Sequence, residues 1–309
     1  MADTREVIVD TLRTRLLRGI QAGALRTGDR LPTARDLARE FDVDHRTILE
    51  AYRELVGEEL VEMRARGGVY VAERRVGLSG IPALPEQWFA DILTQGLTRE
   101  IPGPDLYEWL RRSIETLRLR AVVIASTGDQ VDGLCRELRD DFGLDVEGVN
   151  IDEVLAAPTP SLSLRRADLI VTTAAHGTSV GALGSQLGKP VTVISVRPDL
   201  LGGEWGLLLR RPVYVVVATE EFGDNLRRFF ADVPEVQNLR ILVVGRDDMT
   251  TIPEGAPTYI TQRARQAIGD VALRGRIMPA ARTISSESAR ELFSFIVRSN
   301  LEAMSRLGR

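Results

Sequence analysis

Apolar residues recur along this chain at two periods, and the places where the period changes divide it into three stretches. In the first stretch Ile8, Leu12 and Leu16 fall at near-helical spacing, and Gly23 stands where that helix would end. Ala34 to Phe41 supply a further helix, and only Phe41 to Val43 separate it from the next. In that next helix Ile48, Ala51, Tyr52 and Leu55 lie at i, i+3, i+4 and i+7, an apolar face expected to pack on Leu37 and Ala38. So short a gap holds two helices at a steep angle, as a helix-turn-helix requires. The period then drops to two: Leu60 to Arg64 and Val69 to Val71 flank Ala65-Arg66-Gly67-Gly68, a hairpin with glycines at its tip.

The middle stretch opens with Val76 to Pro85, whose Gly77, Gly80, Pro82 and Pro85 make a linker composition. Trp88 to Thr98 and Asp105 to Leu117 follow as helices broken at Ile101-Pro102-Gly103-Pro104. Trp88, Phe89, Ile92 and Leu93 form an aromatic apolar face that serves either as a clasp within one chain or as an interface between two.

From Arg120 short β-rich runs alternate with helices. Ala121 to Ala125, Val146 to Val149, Leu169 to Thr172 and Val191 to Ser195 are strand candidates, separated by Asp129 to Phe142, a weaker segment near Glu153, and Gly177 to Leu187. A second set follows: strand Val213 to Ala218, helix Glu221 to Phe230, strand Leu239 to Val244, a short run Thr258 to Ile260, and a helix near Gln262 to Ile268. Ser286 to Leu307 closes the chain as a long amphipathic helix. Strands alternating with helices imply parallel, doubly wound sheets. The fold class expected is α/β with an N-terminal α+β winged helix-turn-helix, the C-terminal part forming two doubly wound parallel α/β lobes.

Capping signals sharpen the first stretch. Thr33 stands three residues before Asp36, the spacing of a reciprocal capping box, and Asp44 is an N-cap carboxylate flanked by the staple pair Val43 and Ile48. The face opposite the apolar stripe offers His45, Arg46, Leu49 and Arg53. Gly28-Asp29-Arg30-Leu31-Pro32-Thr33-Ala34-Arg35-Asp36-Leu37-Ala38, then Arg46-Thr47-Ile48, Ala51-Tyr52 and Gly67-Gly68, resemble the GntR family of bacterial transcription regulators over roughly residues 5 to 73. The resemblance implies that Arg35 contacts DNA from its helix start, that positions 45 and 46 read or brace the major groove, and that the Gly67-Gly68 tip enters the minor groove. The DNA-contacting set it implies is Thr33, Arg35, His45, Arg46, Thr47, Arg53, Arg66, Gly67 and Gly68. Many members carry Ser-Arg or Asn-Arg where this chain has Asp44-His45, and a basic residue where it has Leu49, so base preference does not carry over. The boundaries expected are 1–75 for the DNA-binding head, 76–119 for linker and connector, and 120–309 for an effector-binding and dimerisation domain.

Composition narrows this without redirecting it. The 309 residues are 44% hydrophobic and 27% charged, ordinary for a folded soluble protein of two or three domains. The formal net charge is −4, and arginines balance carboxylates within the first 75 residues, so phosphate contact must come from a local cluster of Arg35, Arg46, Arg53 and Arg66. No apolar run spans a bilayer and no leader pattern opens the chain, which predicts a cytoplasmic protein without membrane contact. The single cysteine, Cys135, excludes an internal disulfide, and two histidines are too few for a Cys/His zinc cluster, so neither metal nor cofactor is expected. Lys189 is the only lysine and sits in a Gly-Lys-Pro turn, and the chain is too short for the aminotransferase-like domain some GntR relatives carry. No nucleophile elbow, metalloprotease helix, Walker lysine or dinucleotide fingerprint occurs, and no enzyme is expected.

Two successive α/β halves over 120–309 resemble, in architecture alone, the bilobed effector domains of periplasmic-binding-protein-like regulators. In open α/β sheets ligands lie beyond the carboxyl ends of the strands. Those ends carry Ser126, Thr127 and Asp129; Thr172, Thr173 and His176; Ser195, Arg197 and Asp199; Thr219 and Glu220; and Arg246 with Asp247. The effector set drawn from them is Ser126, Thr127, Asp129, Thr173, His176, Arg197, Thr219 and Arg246. Small hydroxyls with a few charges suit a polar metabolite, including an anion met by Arg197 or Arg246. Ser126, Thr127 and Thr173 equally suit helix caps, and Arg197 and Asp199 could pair across Pro198. The function implied is a homodimeric regulator on a double-stranded operator, tuned by a small effector; the alternative is a DNA-binding dimer whose α/β domain is a ligand-free scaffold.

Overall fold

The computed structural model describes residues 4–21, 25–58, 60–64, 68–72, 86–197, 204–233, 235–269, 271–278 and 282–307. Gly23, the stretch Val76 to Pro85, the hairpin-tip residues Arg66 and Gly67, and Asp199 lie outside them.

The head is built from α1 (Thr4–Gln21), α2 (Ala34–Phe41), α3 (His45–Gly57), β1 (Val61–Arg64) and β2 (Gly68–Val71). Ile8, Leu12 and Leu16 of α1 meet Leu37 and Phe41 of α2 and the expected stripe Ile48, Ala51, Tyr52 and Leu55 of α3 in one buried cluster. Tyr52 is buried with its hydroxyl donating to the Pro32 carbonyl at 2.7 Å, so its polar end is satisfied inside an apolar core. β1 and β2 pair antiparallel from Val61 opposite Val71 to Arg64 opposite Gly68. The segment before α2 adds a third edge that the sequence pattern does not announce: Arg30 bridges Tyr70, and the Leu31 amide donates to the Val69 carbonyl.

Two four-stranded parallel sheets follow. The first contains β3 (Arg120–Ala125), β4 (Asp145–Asn150), β5 (Leu169–Thr173) and β6 (Val191–Ile194) in the order β4-β3-β5-β6. The second contains β7 (Val213–Val217), β8 (Leu239–Val243), β9 (Pro257–Ile260) and β10 (Arg276–Ile277) in the order β8-β7-β9-β10. Both sheets thus place their second strand outermost beside the first, then the third and fourth, and the same winding occurs twice. Residues of β3 alternate between two buried clusters: Ala121, Val123 and Ala125 face α6 (Gly128–Phe142), while Val122 and Ile124 face Leu164 and Val180 on the other side. A parallel strand covered on both faces has little room for polar side chains, which is why these runs read as continuously apolar.

The helix α13 (Ser286–Leu307) corrects the expectation of two simply successive halves, because it returns to the first sheet. Buried Glu137 on α6 accepts from the Thr283 amide and hydroxyl and from the Ile284 amide, and Ile284 bridges Val196 beside β6. The first unit is therefore discontinuous in sequence. Nor do α4 (Glu86–Leu97) and α5 (Gly103–Glu115) form a free connector, since Asn300 of α13 accepts from the Leu117 amide at 2.6 Å and donates to the Ile114 carbonyl at the end of α5.

The head docks on the second unit. Its apolar cluster continues into Trp205, Leu207 and Leu208 of α10 (Glu204–Leu208) and on to β7. Buried Glu40 at the end of α2 receives Arg15 of α1 at 2.6 Å and also Arg276 of β10, while Asp42 accepts from Arg211 at 3.0 Å. Burial and the neighbouring Arg15 charge pull the Arg276 guanidinium down to about 10.

Candidate nucleic-acid interface and ligand junction

Both helix starts on the head form as their spacing predicts. The Asp36 amide donates to Thr33 Oγ1 at 3.2 Å, and the Asp36 carboxylate accepts from the Thr33 amide at 3.2 Å and its hydroxyl at 2.6 Å. The Thr33 hydroxyl, then Arg39, holds the Asp36 carboxyl below the usual carboxylate range. At α3 the Asp44 carboxylate accepts from the Arg46 amide at 2.7 Å. Asp36 and Asp44 are thus spent on caps, and among the described residues no carboxylate pairs with Arg35, Arg46 or Arg53. Thr33, Arg35, His45, Arg46 and Arg53 are all exposed, and Thr47 is half-buried. Two helix N-termini, with their partial positive charge, therefore carry unpaired guanidinium groups, an arrangement suited to backbone phosphates.

At the hairpin, Gly68 has φ +106°, a backbone conformation open to glycine, and a Cβ there would stand 3.3 Å from Arg30 Nε. Arg30 therefore lies against the base of the hairpin. Sequence reasoning gave it no role, although it lies in the very run that carries the family resemblance. Arg64 lies 4.3 Å over the Tyr70 ring, which stiffens the same ribbon.

The eight effector candidates separate into three groups. Asp129, Thr219 and Thr127 come together at the junction of the two units. Asp129, only 4% exposed on the first turn of α6, accepts from the Ala218 amide at 3.2 Å, from Thr219 Oγ1 at 3.3 Å, and from Thr261 Oγ1. Ala218 and Thr219 follow β7 and Thr261 follows β9, so the strand ends of the second sheet face the helix that follows β3 in the first. Thr219 at the same time caps α11 (Glu220–Phe229), and Thr261 caps α12 (Gln262–Ile268). Thr127 is buried as the N-cap of α6. Asp132, one turn along α6, pairs with Arg263 of α12 at 2.9 Å in a more exposed setting.

The second group lines the first sheet alone. The Ser126 carbonyl accepts from Asn150 Nδ2 at 2.7 Å. Thr173 Oγ1 is enclosed with no hydrogen-bond partner, and His176 is half-buried at the start of α9 (Gly177–Leu187) without capping it. Arg197 follows β6, its amide donating to the Thr283 carbonyl at 2.9 Å. The third group is Arg246, which pairs with Glu220 and with Asp247 at 3.0 Å on the rim of the second unit. Its charge is already matched by two carboxylates of its own sheet, which raise its already high proton affinity.

The model of bacterial regulatory proteins of the gntR family matches residues 7–71. The chain is similar to the HTH-type transcriptional regulator Rv1152 of Mycobacterium tuberculosis (strain ATCC 25618 / H37Rv), 37% identical over 92 residues, which are 30% of this chain and 76% of that protein. It is also similar to the mannosyl-D-glycerate transport/metabolism system repressor MngR of Escherichia coli (strain K12), 39% identical over 69 residues. That match takes in 22% of this chain and spans only about a quarter (27%) of MngR. Among solved structures, a GntR family transcriptional regulator from Listeria monocytogenes aligns at 23% identity and TM-score 0.25, covering 34% of this chain and 93% of its own. A Streptococcus agalactiae GntR aligns at 24% identity and TM-score 0.21, covering 43% and 60%. The head that these matches share is the one whose caps and exposed arginines are described above, and the chain belongs to the gntR family of bacterial regulatory proteins.

Proposed function

We propose that this transcription regulator binds a two-fold operator as a homodimer, and that a small polar effector seated between the two sheet units modulates that binding. The exposed N-termini of α2 and α3 carry the DNA half of the proposal: Arg35, Arg46 and Arg53 stand without carboxylate partners on a head whose own acids are spent on caps. Arg46 and His45 would address the major groove, Thr33, Thr47, Arg35 and Arg53 the flanking phosphates, and Arg66, Gly67 and Gly68 the minor groove, with half-sites about 34 Å apart. Competition binding to upstream DNA at physiological salt against excess unrelated duplex tests this. Retention of wild type with at least tenfold weaker retention of Arg46→Ala supports it, and equal affinities remove α3 as the reading helix.

The facing strand ends support the effector half. A metabolite there would meet Ser126, Thr173, His176 and Arg197 on the first unit and Arg246 on the rim of the second, and the unpartnered Thr173 hydroxyl would gain a partner. The head is held by the second unit through Glu40, Arg276 and Arg211, so a shift at the junction would move the head relative to the first unit.

One observation favours a second reading, in which the α/β domain is a ligand-free scaffold. The Asp129 carboxylate occupies the junction and is already satisfied by three protein donors. Thermal shift against a panel of polar metabolites separates the two, since a ligand of the folded state raises its stability by mass action.

A further inference from the structure

The hairpin of α4 and α5 is short of neighbours for its composition. On α4, Phe89, Leu93 and Leu97 fall at i, i+4 and i+8; on α5, Tyr107, Leu110 and Ile114 fall at i, i+3 and i+7. All six are exposed, Leu97 to 61% and Tyr107 to 72%, and no side chain of α5 is buried. Trp88, 48% exposed, stands edge-on to Phe89 with ring centroids 5.2 Å apart and extends the patch. The two helices are nonetheless set firmly together. Gly96 is buried, a Cβ there would lie 3.3 Å from Leu106, and the Ile101 amide donates to the Gly96 carbonyl at 3.0 Å. A rigid helical pair whose outward stripe is aromatic and aliphatic marks a surface built to be covered.

We propose that this face is covered by the same face of a second copy of the chain, so that α4 and α5 form the two-fold interface of the dimer. This rests on the dimeric regulator proposed above and names the surface that assembles it. Taking these seven side chains at their fractional exposures, with large apolar residues offering about 150–250 Å² each, the patch exposes roughly 700 Å² per copy. Stable interfaces bury about 800 Å² per partner, so an isologous pairing of this patch alone reaches ordinary size. The charges on α5 select the partner. Glu108 pairs with Arg111 at 2.9 Å and with Arg112 at 2.6 Å, and Glu115 lies 3.7 Å from Arg111. Carboxylates and guanidiniums are thus equal in number on that helix, which offers nothing net to an anionic membrane or a nucleic acid. The same balance is self-complementary across a two-fold axis, where each pair can be exchanged for its counterpart.

The test is sedimentation velocity of the full chain, run beside fluorescence anisotropy on a single half-site and on the two-half-site operator. Wild type is expected to sediment as a dimer and Leu97→Glu/Leu110→Glu as a monomer with an unchanged circular dichroism spectrum. The variant should bind a single half-site as wild type does and lose at least tenfold on the full operator. Tyr107→Lys, at the most exposed position, serves should the double variant misfold, and is expected to weaken dimerisation in the same direction. A dimer that survives all these substitutions, or a wild type that is monomeric at every concentration tested because residues 73–85 or another segment of the chain cover the patch, overturns the proposal. If instead dimerisation responds as expected but no DNA is bound specifically, the interface stands and the operator reading fails.

Discussion

Replacing Asp129 with alanine is expected to weaken the union of the two sheet units far more than any exposed substitution on the same helix. The carboxylate is almost fully enclosed and holds three donors from the second unit: the Ala218 amide, the Thr219 hydroxyl and the Thr261 hydroxyl. Hydrogen bonds to a charged acceptor contribute about 1.5–3 kcal/mol each. Two of the three are long and both hydroxyls can turn towards other acceptors, so the sum falls well short of three full bonds. The Ala218 amide has no such freedom, and leaving it unpaired costs about 1–3 kcal/mol by itself. The lost charge at the start of α6 adds about 0.3–1 kcal/mol. Together these give a loss of roughly 2–4 kcal/mol. Asp132→Ala is the matched control. It removes an ion pair joining the same two helices, Asp132 to Arg263, but a half-exposed one, expected to be worth about 0–1 kcal/mol. Urea unfolding of both variants, read by circular dichroism, gives the comparison. Equal losses, or a loss below about 1 kcal/mol for Asp129→Ala, would refute the claim that burial rather than contact number decides what the junction is worth.

Three further outcomes follow from particular residues. Thr33→Ala should cost the head about 1 kcal/mol by unmaking the α2 cap, and the Asp36 carboxyl should titrate nearer its ordinary value by NMR. Because Asp36 is depressed in the folded state, its contribution is present above the usual carboxylate range and fades as pH falls through the folded value, and that low-pH fading should vanish in the variant. Glu100→Gly should raise stability by about 1 kcal/mol, since Glu100 holds φ +60° in the turn between α4 and α5, where a side chain is strained; an unchanged melting temperature would show that the strain is absorbed elsewhere. Cys135 is buried and its thiol is pushed up to about 11 by desolvation, so alkylation near neutral pH should be far slower in the native protein than in urea.

What the sequence made legible was local. A threonine three residues before an aspartate, an aspartate before a helical stripe, and runs of valine and isoleucine between helices each contain their own cause, and the elements form there. What stayed hidden depends on partners far along the chain. Asp129 reads as a first-turn carboxylate or a ligand contact, and its donors lie 89 to 132 positions away. Glu40 reads as a surface residue of an amphipathic helix, yet Arg15 and Arg276 enclose it. The two-residue β10 is too short to show a period, and nothing in Ser286 to Leu307 tells that the helix goes back to the first sheet. Thr33, Arg35, His45 and Arg46 were found because they belong to a contiguous motif, whereas Arg30 belongs to the same motif and was passed over because its place against Gly68 is set by strand pairing.

The docking of the head on the second unit decides how a change at the junction can reach DNA. Asp129 and Arg276 share no hydrogen-bond partner: one joins the two sheet units, the other joins the second unit to Glu40 of the head. Were the head held only by its chain connection, substitutions at the two places would act on operator affinity independently and add to within about 0.3–0.5 kcal/mol. If instead the head rides on the second unit, loosening the junction by Asp129→Ala moves it, and Arg276→Met, which leaves Glu40 with Arg15 alone, partly disconnects it. The effect of Asp129→Ala on operator affinity should then shrink in the Arg276→Met background, with a coupling energy of about 1–2 kcal/mol, in the range of known linked sites. Anisotropy titrations of wild type, the two single variants and the double variant on one operator measure it directly. Additive effects would mean that the contacts of Glu40 and Asp42 fasten the head without transmitting anything, and that any effector response must run through α4 and α5 instead.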